Sequence, residues 1–167
     1  AGCFSRTDNL PDQKHPCSEV TVARGVLSHI DFSVGNPGLS IHFYDVLLTG
    51  LGYNRYREPG AAWQEPQPTR AAWGVQYGDG TSFAIDLRPA GHNVTRTYNR
   101  FEPGPHHMAF SVDSDAEVDE VYRSMVKIDA TVLDAPFQYG GQPGYGAYYY
   151  AVFFADPDGF KVEVVHL

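Results

Sequence analysis

The chain has 167 residues, with 12 Lys and Arg against 20 Asp and Glu, a net charge of −8, and 14% aromatic residues. That length buries one hydrophobic core without cross-links. The negative charge removes the attraction that draws proteins to phosphate backbones or anionic lipid, so neither nucleic acid nor a membrane surface is expected as a partner.

Residues 1–24, rich in Pro, Asp, Ser and Thr and without periodicity, read as an extended N-terminal arm. They lack the basic-then-apolar pattern of a secretory leader. Cys3 and Cys17 fall in this arm. As free thiols they suit the cytoplasm, the expected location; as a closed loop, together with the sequon at Asn93, they would suit a secreted protein, the alternative.

From Gly25 the pattern becomes regular. "VLSHIDFSV" predicts a strand with Ile30, Phe32 and Val34 on one face and His29 and Asp31 on the other. Residues 38–49 place Leu39, Phe43, Val46 and Leu47 at helical spacing and stop near Gly50 or Gly52. Strands are predicted at 53–58, 70–77 and 81–88, the last two joined through the turn signal "GDG". The same order then recurs: a strand in "HHMAFSV", a helix opened by Ser114 and Glu117 as a capping box, and strands at 131–138, 148–155 and 160–166. "DPDG" reads as the β-turn joining the last pair.

An offset of 78 aligns His29 with His107, Phe32 with Phe110, Ser33 with Ser111, Val34 with Val112 and Tyr44 with Tyr122. The chain therefore reads as one α+β domain over 25–167 that writes a βαβββ module twice, at 25–88 and 105–167 around a linker at 89–104. Each module's sheet has one helix-covered face, and the other faces shape a cupped cleft.

His29 and His107 open equivalent strands, and Glu163 in "FKVEVV" points away from Val162 and Val164. Two imidazoles and a carboxylate on separate strands are the set that suits Fe2+ and also admits Mn2+, Ni2+ or Zn2+. Asp86 in "FAIDLR" is the counterpart of Glu163 and a candidate fourth ligand. In the run Tyr148-Tyr149-Tyr150, alternation lets Tyr149 or its neighbours, not all three, line the cleft. Trp63 and Trp73 are candidates for an aromatic wall, and Arg70 and Arg88 for holding a substrate carboxylate.

On "LSHIDFSV", "FYDVLLTGLGY", "GPHHMAFSV" and "DPDGFKVEVV", residues 25–167 resemble the vicinal oxygen chelate superfamily of glyoxalases, bleomycin-resistance proteins and extradiol dioxygenases. The resemblance implies a divalent metal on His29, His107 and Glu163, with Asp86 where the glyoxalase branch carries a longer Glu. It implies a glyoxalase-like lyase or isomerase that stabilises the enediolate of a small oxygenated substrate, with Glu163 as base; Tyr149, from its strand placement, is either a substrate-orienting or acidic group or part of the packing. Ring-cleaving relatives carry a histidine upstream in the last hairpin, where this chain has Tyr145, Gly146 and Ala147, and Phe153 replaces a Tyr-like position. A dioxygenase is therefore the first alternative, and a small-molecule sequestering protein the second. Relatives build the cleft either within one chain or across a homodimer.

Overall fold

The structure, a computed structural model, describes residues 25–56, 69–91 and 97–167. The arm with Cys3 and Cys17, Trp63, His92 and the Asn93 sequon lie outside the described residues. The elements are β1 (His29–Val34), α1 (Pro37–Gly50), β2 (Asn54–Arg55), β3 (Ala71–Gln76), β4 (Ser82–Pro89), β5 (Met108–Ser111), α2 (Asp115–Val126), β6 (Thr131–Gln138), β7 (Tyr150–Ala155) and β8 (Lys161–His166). They form two four-stranded sheets ordered β1-β4-β3-β2 and β5-β8-β7-β6, so the doubled α+β architecture expected from the repeat is present. In each sheet the first strand runs parallel to the last and the remaining pairs are antiparallel.

Local chemistry sets the helix ends. Asn36 caps α1 by accepting from the Leu39 amide at 3.2 Å, and Pro37 occupies a position whose amide would have no helical partner. At α2 the capping box forms: Ser114 Oγ accepts from Glu117 N at 3.3 Å while Glu117 Oε2 accepts from Asp113 N at 2.9 Å. Several strands are shorter than the sequence patterns suggest, β5 among them. Pro105 has no amide to donate, and β5 begins only at Met108, which leaves His107 just ahead of the ladder.

Strand registers confirm the repeat in space. Asp31 pairs with Asp86 across β1 and β4, and Ala109, its counterpart at offset 78, pairs with Glu163 across β5 and β8. Asp86 and Glu163 thus occupy equivalent positions. Along β8, Val162 and Val164 face α2 and are fully buried, which sends Lys161, Glu163 and Val165 to the opposite, uncovered face. In the first sheet Trp73, Ile85 and Leu87 face α1 and are likewise buried.

The two helix-covered faces merge into one core that runs from Tyr44 and Leu47 of α1 through Phe110 to Val118 and Met125 of α2. The "DPDG" turn fastens the modules together. Asp156, 7% exposed, accepts from Tyr44 Oη at 2.9 Å and from the amides of Asp158 and Phe160 at 2.9 and 2.8 Å. Asp158 accepts from the Gly35 amide at 3.0 Å, and the Phe160 ring lies 5.3 Å from Phe32. Gly159 closes the turn at φ +87°, where a Cβ would also strike Thr97.

Tyr44→Phe deletes a hydrogen bond to a buried carboxylate and is expected to cost about 1.5–3 kcal/mol in urea unfolding. Burial raises the Asp156 carboxyl above its ordinary value of 3.8. A carboxyl that binds its proton more tightly when folded contributes stability at acid pH and loses that contribution as pH rises through the folded value. The stability of wild type relative to Asp156→Asn is therefore expected to fall as unfolding is measured from about pH 3 to about pH 7.

Candidate functional site

On the uncovered face of the second sheet, Glu163 sits between Ala109 of β5 and Phe153 of β7 and is 1% exposed. A carboxylate so removed from water requires partners, and it has two. Tyr149 Oη donates to Oε1 at 2.5 Å, and His107 Nε2 lies 3.0 Å from Oε2. His107 Nδ1 in turn shares a hydrogen bond with His106 Nδ1 at 2.8 Å. Burial first, and then the Glu163 carboxylate, push the Tyr149 hydroxyl well above its ordinary value. At neutral pH Tyr149 is therefore a donor to Glu163.

The three consecutive tyrosines divide between the two sides of the sheet. Tyr148 and Tyr150 donate to Asp115 and Asp119 of α2 at 2.5 and 3.0 Å, while Tyr149 turns to Glu163. The Gln138 side chain holds this geometry by accepting from the Tyr149 amide at 3.0 Å. The Gly-rich segment then folds back so that Tyr145 meets Tyr149 edge-on at 4.8 Å and stacks on Tyr139 at 5.2 Å. His166 joins Asp115 at 2.8 Å, a structural contact at the start of α2.

Two cations border the same face and were not singled out from sequence. Lys161 Nζ lies 3.6 Å from the centroid of the Phe153 ring, and the Arg100 guanidinium 4.7 Å from that of Phe101. Lys161 shares strand parity with Glu163, a signal that was readable in "FKVEVV". Arg100 lies in a connecting segment, where no periodicity marks it.

His29 and Asp86 lie on the uncovered face of the other sheet, away from this group. His29 meets Ser28 Oγ at 3.0 Å. Among the described residues no three His, Cys, Asp or Glu side chains converge where one ion would touch them all, so His29, His107, Glu163 and Asp86 do not meet within one chain. The reason is topological, since β1 and β4 belong to a different sheet from β5 and β8.

Other expectations change. Trp73 is fully buried on the α1 side and donates from Nε1 to Asp45 at 3.0 Å, so it is core and not a cleft wall. Arg88 pairs with Asp31 at 2.8 Å. Arg70 is exposed just ahead of β3. Tyr56 lies so close over Gly74 that any Cβ there would overlap its ring, which places an aromatic cover on the first sheet's uncovered face. A cavity of about 560 Å³, lined by Ile30, Phe32, Phe83, Met108 and Phe110, lies on the helix side of the first sheet and reaches the group described above at His107 and Ala109.

The spacing of His107 and Glu163 is that of a direct hydrogen bond and equals that of two ligands sharing one ion. Two ligand atoms bound at about 2.1 Å and about a right angle to each other lie about 3 Å apart, and His107 Nε2 and Glu163 Oε2 are separated by 3.0 Å. One chain supplies two such donors, one fewer than the three protein ligands usual at a catalytic site.

Comparison with known proteins agrees with the fold. A glyoxalase candidate from Bacillus halodurans superposes with a TM-score of 0.63 at 26% identity, covering 86% of this chain and 97% of that one. A glyoxalase/bleomycin resistance protein from Albidiferax ferrireducens superposes with a TM-score of 0.57 at 23% identity, covering 84% and 98%. The uncharacterized protein YqjT of Bacillus subtilis is 26% identical over 140 residues, 83% of this chain and 97% of its own. The family model of the Glyoxalase/Bleomycin resistance protein/Dioxygenase superfamily matches residues 26–164, and with the doubled βαβββ architecture this establishes that the chain belongs to that superfamily.

Proposed function

We propose that the protein is a metal-dependent enzyme of the vicinal oxygen chelate type, a glyoxalase-like lyase or isomerase acting on a small oxygenated substrate. The observation that carries this reading is the His107–Glu163 pair, a buried carboxylate and an imidazole held at 3.0 Å on an uncovered sheet face. Its ligands are His107 and Glu163 with His29 and Asp86. Because the second pair lies on the other sheet, it comes from a second copy in a homodimer. Bound there, a divalent cation such as Fe2+, Mn2+, Ni2+ or Zn2+ supplies stabilisation of negative charge on two neighbouring substrate oxygens.

The protein's own groups do the rest. Glu163 is the proton acceptor at the carbon next to the substrate carbonyl, and the Tyr149 Oη hydrogen bond holds that carboxylate in place. Glu163→Gln removes the acceptor and Tyr149→Phe the donor. A sequestering protein is the second reading, favoured by the aromatic ring of Tyr139, Tyr145 and Phe153 around a site with only two donors per chain.

After incubation with each divalent ion and desalting, elemental analysis is expected to find about one metal per chain, falling to background in His107→Ala and in Glu163→Gln. Mixing His29→Ala with Glu163→Gln, through reversible unfolding, is expected to restore roughly a quarter of the sites, because a heterodimer rebuilds one intact site. No restoration would overturn a site shared between two copies. In an assay for lactoylglutathione from the methylglyoxal hemithioacetal, Tyr149→Phe is expected to keep the metal and lose about tenfold or more in turnover. Oxygen uptake with catechol would instead identify a ring-cleaving dioxygenase.

A further inference from the structure

The protein carries a net charge of −8, yet two of its cations gather where the proposed substrate lies. Lys161 projects from β8 on the same face as Glu163, two residues away, with its ammonium over Phe153. Arg100 stacks on Phe101, and Phe101 meets His106, the neighbour of His107, at 5.9 Å. The fields of Lys161 and Arg100 both reach His106, and Arg100 also acts on Lys161.

Among the described residues neither cation is neutralised by contact: no carboxylate lies within ion-pair distance of Lys161 or Arg100, and Arg100 Nε is buried without a hydrogen-bond partner. The acids whose field reaches Lys161 are Glu163 and Asp134. Both oxygens of Glu163 are already engaged by Tyr149 and His107. A buried donor without a partner is costly unless an acceptor arrives. Arg88, which strand placement suggested for holding a carboxylate, is by contrast occupied by Asp31.

The apolar half of the same face is aromatic. Phe153, Tyr139 and Tyr145 follow one another at centroid spacings of 5.7 and 5.2 Å and end against Tyr149. Such edges and faces favour a flat ring.

The geometry points to an aromatic carboxylate as the substrate class: its carboxylate meets Lys161 and Arg100 while its ring lies against Tyr139 and Tyr145. This rests on the reading of the Glu163 face as the substrate site, and adds what that substrate carries.

The test titrates benzoate, benzamide and acetate into wild type, Lys161→Met, Arg100→Gln and the double variant by calorimetry, with each protein used as purified and again after EDTA. Benzoate is expected to bind wild type about tenfold more tightly than benzamide or acetate, a typical margin for a charge-assisted contact. Each single variant should bring benzoate down to the level of benzamide and leave benzamide unchanged, while Lys161→Arg keeps the preference and shows that the fold is intact. Equal binding of benzoate and benzamide, no binding of either, or an unchanged benzoate affinity in the double variant would overturn the proposal. Acetate matching benzoate would overturn its aromatic part. A preference that vanishes on EDTA treatment would assign the carboxylate to a bound cation and overturn the role of Lys161 and Arg100. A preference that persists supports that role even where elemental analysis finds no metal.

Discussion

A buried acid holds the two halves of this molecule in register. Asp156 sits in the turn of the second module, accepts three hydrogen bonds and takes one of them from Tyr44 in the first module. A carboxylate so enclosed is tolerable only with its acceptors filled. The turn, the first helix and the strand end at Gly35 must therefore assemble together. From that union follow the merged core and the outward direction of both uncovered faces.

The duplication distributes chemistry unevenly over those two faces. The repeat puts Asp86 and Glu163 at equivalent ladder positions. Their surroundings differ. Asp31, next to Asp86 on the ladder, takes Arg88, whereas Glu163 has the small Ala109 beside it and receives Tyr149 and His107. One copy of the repeated unit presents an ion-paired surface under Tyr56, and the other a buried carboxylate framed by rings and cations.

The fold was legible because its signals are local and repeated: His-x-x-Phe-Ser-Val twice, a capping box at Ser114, glycines where turns need positive φ. His107, Glu163 and Tyr149 could be singled out from strand parity together with the repeat, and the structure brings these three together. Parity alone does not say which face a strand buries, so Trp73 was assigned to the wrong side. Nor does it reveal a partner more than a hundred residues away, so "DPDG" read as a turn and nothing more, while its first aspartate reaches Tyr44. Whether His29 joins His107 depends on how sheets are apposed, which no pattern along the chain encodes.

The divided tyrosines have a mechanical corollary. Tyr148 and Tyr150 are moored to the first turns of α2, and Tyr149 is strung between them. The backbone that carries its ring is thereby fixed on both sides, and the Tyr145 edge and the glutamate hold the hydroxyl itself, so the dipole aimed at that carboxylate is set during folding.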